Sequence, residues 1–314
     1  VTRLVEARSV GRFYGEVVGL SDVTLSVPKG VVGLLGPNGA GKSTFLKLFV
    51  GELAPSRGTL TVLGETPFAN RRLFARLGFC PQQDALYGEM TGLEFVSFLL
   101  GLSGFSRADA RRLAVRALER VQLDGAMHQR TRGYSKGMRQ RAKIAQAIAH
   151  GPEVIVLDEP MTGLDPIARR DAVQLFAELA REGASIVMSS HVLHEVEALT
   201  QDIVLLHRGR LLAQGSVRDV RDLLSSHPRK VEIHAREPRR LARALLALDG
   251  VASVRVDPAR GDGPGVVRVE TTDLDLFQSS LPRVAVDTAA GIRSVETPDS
   301  GLEAVFDYLV ESST

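Results

Sequence analysis

Apolar and polar positions follow two different periods along this chain. Nearly unbroken apolar runs at 31–36, 154–158, 185–189 and 202–207 read as strands buried on both faces, as in a parallel sheet covered by helices. A long helical stretch separates the first two, within residues 89–150. There Thr91-Gly92-Leu93-Glu94 and Ser106-Arg107-Ala108-Asp109 have the form of capping boxes and open helices toward Leu100 and Gln122. Asp165 before Pro166 opens another helix, with Gly183 as its stop. Residues ahead of 31, and 58–64, read as strands of a smaller antiparallel sheet. Strand and helix thus alternate as in an α/β fold.

After Gly215 the composition changes, and Ser225-Ser226-His227-Pro228 reads as a linker. Beyond it the pattern predicts strand 230–235, helix 238–248, strands 251–256 and 266–271, helix 274–281, strand 292–296 and a closing helix over 302–309. A turn-rich connection at 257–265 joins the middle strands. That βαββαβ order matches a ferredoxin-like α+β unit. The expected domains are 1–226, containing the helical subdomain at about 89–150, and 227–314.

With 314 residues, 44% of them hydrophobic and 24% charged, the chain has room for two globular domains with ample cores. No stretch approaches the roughly eighteen unbroken apolar residues of a membrane helix, and Val1-Thr2-Arg3-Leu4 lacks a signal-peptide pattern. Any membrane role is therefore expected to run through a partner chain. Cys80 is the single cysteine, so an intramolecular disulfide is excluded and a reducing cytoplasm fits; in Leu77-Gly78-Phe79-Cys80 it reads as core. A net charge of +2 argues neither for nor against nucleic acid. The basic run from Arg107 to Lys143 reads as a solvated helical face.

Candidate chemistry concentrates after three of the apolar runs. Gly36-Pro37-Asn38-Gly39-Ala40-Gly41-Lys42-Ser43-Thr44 joins a strand to a helix and has the form of a phosphate loop. Its glycines let backbone N–H groups turn toward phosphates, Lys42 reaches β- and γ-phosphate oxygens, and the Ser43 hydroxyl can ligate Mg2+. The run 154–158 delivers Asp158 to the carboxyl end of a buried strand, where it can hold Mg2+, and Glu159 follows as a candidate to polarise an attacking water. Ser135 reads as the N-cap of a helix with Gly137 in its first turn, leaving free N–H groups at a positive helix end. His191 emerges after the strand 185–189 at the same end of the sheet.

In order and spacing, these segments resemble the nucleotide-binding subunit of ATP-binding-cassette (ABC) transporters, over roughly residues 4–215. The resemblance implies a P-loop ABC ATPase core with helical and antiparallel β subdomains. It implies that Gly36 to Thr44 is the Walker A loop, that Gln82 contacts Mg2+ and the catalytic centre, and that Ser135, Lys136 and Gly137 belong to the signature. Asp158 ends Walker B, Glu159 is the catalytic carboxylate, Leu164-Asp165 the D-loop, and His191 a γ-phosphate contact. Tyr14 takes the position of the aromatic that stacks on adenine, with Phe13 as the competing candidate and a core role open; Gln83 competes with Gln82. Tyr134, Lys136 and Met138 depart from the commonest signature, Leu-Ser-Gly-Gly-Gln. Ser-Lys-Gly-Met resembles the export-type branch.

The implied cofactors are ATP and Mg2+. Implied partners are a separate transmembrane permease, contacted through residues 84–90, and a second cassette in a head-to-tail homodimer. No nucleic acid is expected, and the implied place is the cytoplasmic face of the membrane. The alternative reading is a soluble ABC-type ATPase acting on a ribosome or DNA. The C-terminal domain is expected to regulate or dimerise.

Overall fold

The computed structural model describes residues 3–84, 86–222, 229–257 and 264–297. They contain β1 (Arg3–Tyr14), β2 (Val17–Pro28), β3 (Val31–Leu35), α1 (Lys42–Phe49), β4 (Arg57–Val62), α2 (Arg71–Phe74), β5 (Leu77–Cys80), α3 (Gly92–Leu102) and α4 (Arg107–Arg120). There follow α5 (Lys136–Ile148), β6 (Val154–Asp158), α6 (Pro166–Arg181), β7 (Ser185–Ser190), α7 (Leu193–Glu197), β8 (Asp202–His207), β9 (Arg210–Ser216) and α8 (Val217–Asp222). The remainder is β10 (Arg229–Ala235), α9 (Pro238–Leu245), β11 (Val251–Asp257), β12 (Gly265–Thr271), α10 (Leu274–Thr288) and β13 (Ile292–Glu296).

Two compact units divide after Ser216. In the first, a six-stranded sheet runs β5-β6-β7-β3-β8-β9, parallel except for β9 against β8. Every residue of β6 and β7 is buried, which is why those segments carry almost no polar alternation. The parallel order brings the carboxyl ends of β3, β6 and β7 side by side. An antiparallel sheet β2-β1-β4 shares its core with α1, through Leu4, Val10, Leu25 and Leu60 against Phe45, Leu46 and Phe49. Helix α5 lies directly on β5: a Cβ at Gly78 would stand 1.9 Å from the Ala147 carbonyl oxygen, so only glycine permits that approach.

The second unit carries an antiparallel sheet ordered β11-β12-β10-β13. Its βαββαβ order and strand order are those of a ferredoxin-like unit. Val231, Ile233, Val267 and Val269 form its core with Leu241 and Leu245 of α9 and Phe277 and Leu281 of α10.

Several details differ from the sequence reading. Strands β5 and β9 at the two sheet edges were not anticipated. The division falls at 216/217 rather than 226/227, because α8 groups with the second unit. Helix α10 runs on through Pro282 to Thr288 instead of ending near Leu281, carried by Phe277, Leu281, Val284 and Thr288 on one buried stripe. Nor is the basic run a uniformly solvated face, since Lys143 is 5% exposed. The expected linker at 225–228, the hairpin tip and the closing helix at 302–309 lie outside the described residues.

Candidate active site

The phosphate-type loop connects β3 to α1, turning through the Ala40 N–H to Pro37 carbonyl hydrogen bond of 3.1 Å. Gly41 is the N-cap of α1, at φ 102°, and supplies no side-chain cap. A Cβ there would meet the Gly19 carbonyl oxygen at 2.7 Å. By contrast Thr91, Ser106, Ser135 and Asp165 each accept a hydrogen bond from the first turns of α3, α4, α5 and α6. The first-turn N–H groups of α1 thus remain for an anion, at the positive end of the helix. Lys42 lies in the same loop, 6% exposed, donating to the carbonyls of Gly36 at 2.7 Å and Pro37 at 3.2 Å. Burial holds its ammonium below the usual lysine range, partly countered by Glu159 and Asp158.

Opposite it, β6 ends at Asp158 and the chain turns through Glu159, a non-glycine residue at φ 50°. Ser189 of the adjacent β7 holds that turn. Its Oγ accepts from the Glu159 N–H at 2.9 Å and donates to Asp158 Oδ1 at 2.5 Å. Glu159 Oε1 stands 3.6 Å from Lys42 Nζ, and Oε2 takes contacts from His191 Nδ1 at 2.8 Å and the Thr162 hydroxyl at 3.3 Å. A buried carboxylate therefore faces a buried ammonium at the mouth of the anion cradle.

Tyr14, Val17, Val18, Gly19, residues 37–44, Gln82 and Glu159 line one cleft of about 280 Å3. Tyr14 belongs to this cleft and Phe13 does not; Gln82 belongs and Gln83 does not. The Arg12 guanidinium lies 5.0 Å from the Tyr14 ring centroid. Ser43 and Gln82 line the cleft while Asp158 closes β6 behind it. These are hard oxygen donors, few enough to leave the remaining positions to phosphate and water, which suits Mg2+. Ser135, Lys136, Gly137 and Asp165 are not among the lining residues. Ser135 caps α5, the stem of Lys136 covers Gly163, and Asp165 caps α6 through the Ala168 N–H at 2.9 Å. Sequence reasoning missed Ser189, Val17, Val18 and Gly19, whose proximity to the site depends on pairing between distant segments, and Thr162, which reaches Glu159 within one local turn.

A second depression of about 770 Å3 includes Phe79, Pro81, Tyr87, Phe95, Leu99 and Leu102 among its lining residues. Tyr87 is 54% exposed, so it stands on the surface rather than in the core. Its backbone is held by the Thr131 hydroxyl, which donates to the Tyr87 carbonyl at 2.8 Å. Ala85 of the expected contact segment lies outside the described residues.

Residues 20–162 match the family model described as ABC transporter. An uncharacterized ABC transporter ATP-binding protein, YxlF of Bacillus subtilis (strain 168), is 40% identical over 60% of this chain and 63% of its own. The Nod factor export ATP-binding protein I of Rhizobium sp. (strain N33) is 32% identical over 96% of this chain and 95% of its own. Among solved structures, the dimeric post-hydrolysis state of the ATP-binding cassette MJ0796 bound to ADP and Pi is 25% identical with a TM-score of 0.63, covering 68% of this chain and 99% of that one. The chain spans about six tenths of the length of the first curated relatives it matches, 63%, 62% and 58%.

Proposed function

Because the chain belongs to the ABC transporter family, we propose that it is an ATP-binding subunit that hydrolyses ATP in a head-to-tail pair of cassettes and drives export through a separate membrane permease. The observation that carries this reading is the meeting of an uncapped helix head with Lys42 and Glu159 in one cleft, with His191 held against Glu159 from outside its lining. N–H groups at the start of α1 and the Lys42 ammonium bind the β- and γ-phosphates, and the Tyr14 ring takes the adenine. Ser43, Gln82 and Asp158 would hold Mg2+, which when bound neutralises charge on the phosphates. Glu159 orients the attacking water and accepts its proton. His191 holds Glu159 Oε2 through Nδ1, and its other ring nitrogen would stabilise charge on the phosphoryl group.

Ser135, Lys136, Gly137 and Asp165 stand outside the lining of their own chain's cleft, which supports a site completed across two copies. In that arrangement the positive head of α5 meets the ATP held by the partner. The export direction follows the name of the Rhizobium relative. The depression beside Tyr87 is the surface for the permease, which would hold the subunit at the cytoplasmic face of the membrane; the second unit is a regulatory or dimerising module.

Lys42→Ala tests the cradle. Charge-assisted hydrogen bonds are worth about 1.5–3 kcal/mol, so ATP affinity should fall at least about tenfold. A folded Lys42→Ala chain that binds ATP like the wild type would remove the basis of the reading.

A further inference from the structure

One face of α5, continued by His150 just past its end, is a polar ladder laid along the backbone of β5 and the loop that follows it. His150 Nε2 meets the Leu77 carbonyl at 3.0 Å, Gln146 Nε2 donates to the Phe79 carbonyl at 2.5 Å, and Gln140 Nε2 lies 3.8 Å from Cys80 Sγ. Lys143 completes the ladder. Its Nζ donates to the carbonyls of Pro81 at 3.0 Å, Gln82 at 3.0 Å and Gln83 at 3.3 Å. All three donors of the ammonium are therefore spent on three consecutive carbonyls of one loop. Lys143 is 5% exposed, and among the described residues no carboxylate pairs with it.

A buried ammonium without a counter-charge is costly unless its hydrogen bonds are complete. Here they are complete only if the loop keeps the curvature that turns three successive carbonyls to one point. A hydrophobic residue would suffice to pack α5 on β5. The lysine instead fixes the shape of the segment that carries Gln82 into the nucleotide cleft, and ties that shape to the helix whose head is Ser135. It also lines the depression that holds Tyr87.

We propose that Lys143 is a positioning residue that locks the Gln82 loop to the signature helix, so that the reach of Gln82 to the nucleotide-bound metal depends on Lys143. This rests on the reading of the cleft as an ATP and Mg2+ site. Loss of a group that orients a metal-binding residue lowers metal affinity by about 10- to 100-fold.

The test uses the full chain carrying Lys143→Met, Lys143→Arg, Gln82→Ala and the Lys143→Met/Gln82→Ala pair. Mn2+ binding to the ATP-loaded protein is followed by electron paramagnetic resonance, ATP affinity is measured in chelator, and amide exchange over 82–84 is measured without nucleotide or metal. Lys143→Met should weaken Mn2+ binding by about tenfold. Metal-free ATP affinity should stay unchanged and exchange at 82–84 should quicken. Lys143→Arg should recover most of the loss, and Lys143→Met should add nothing in the Gln82→Ala background. If Lys143→Met does not fold, Lys143→Gln carries the same titration. Wild-type Mn2+ affinity in the folded variant, or an equal further loss in the Gln82→Ala background, overturns the proposal alone. Absence of any ATP-dependent Mn2+ binding by the wild-type chain overturns the functional reading with it.

Discussion

Ser189→Ala removes one oxygen atom and strands two polar groups. Ser189 is 0% exposed, Asp158 4% and Glu159 7%, so water cannot replace the hydroxyl. The Glu159 N–H loses its acceptor and Asp158 Oδ1 its donor. An unsatisfied buried group costs about 1–3 kcal/mol, so two together cost about 2–6 kcal/mol before any relaxation. Part of that is relieved if Glu159 leaves its left-handed backbone, at φ 50°. That relief would move its carboxylate away from Lys42 and His191. The single cysteine, Cys80, is fully buried in the same unit, and burial pushes its thiol up to about 12. Its labelling by a thiol reagent therefore reports opening of that unit. After that relief a loss of about 2–4 kcal/mol remains, which corresponds to labelling faster by about 30- to 1,000-fold, with ATP turnover reduced at least about tenfold. Ser190→Ala, whose hydroxyl serves Val192 and Glu195, is the control. Labelling and turnover of Ser189→Ala both at wild-type rates would refute the reasoning.

Mixing Lys42→Ala with Ser135→Ala protein should recover about a quarter of wild-type turnover at equal ratio, since half the dimers then carry one undamaged composite site. Flat activity at all ratios, with mixed dimers demonstrated, would exclude shared sites. Tyr87→Asp should leave ATP turnover of the isolated chain unchanged and weaken its response to the permease in reconstituted vesicles; normal transport by that variant would move the contact elsewhere. Burial holds the His150 imidazole below the usual histidine range, partly countered by the Leu77 carbonyl. The unfolded chain therefore takes up a proton first as pH falls through about 6.5, and stability declines from there down to the folded-state value. His150→Gln should flatten that limb of a urea-midpoint profile, and an unchanged slope would remove His150 as its source.

The local parts of the site were legible because their chemistry is contiguous. The loop 36–44 needs no distant residue to declare itself, and the Thr91 capping box forms with both reciprocal hydrogen bonds. Asp165 caps its helix with Pro166 at the first turn. Edge strands were harder. In β9, Arg210-Leu211-Leu212-Ala213 shows no clean alternation and takes its register only from β8. At Pro282 a local rule was overruled by the apolar stripe continuing beyond it. Ser189 and Lys143 gave no signal because each acts on atoms far along the chain: Ser189 lies thirty residues from Glu159, and Lys143 lies sixty or more from the carbonyls it gathers. Lysine in a basic run defaults to solvent. The close approach of α5 to β5 at Gly78 and the three carbonyls of the following loop hold this one inside.

On the proposed function, Glu159 takes the proton of the water that attacks bound ATP. Glu159→Gln keeps the side chain's size and removes its ability to take a proton, so ATP affinity and phosphate release measured on one preparation separate binding from chemistry. The expected result is ATP affinity within about threefold of wild type and turnover lower by at least about 10²-fold. Phosphate release by Glu159→Gln at the wild-type rate would contradict the assignment.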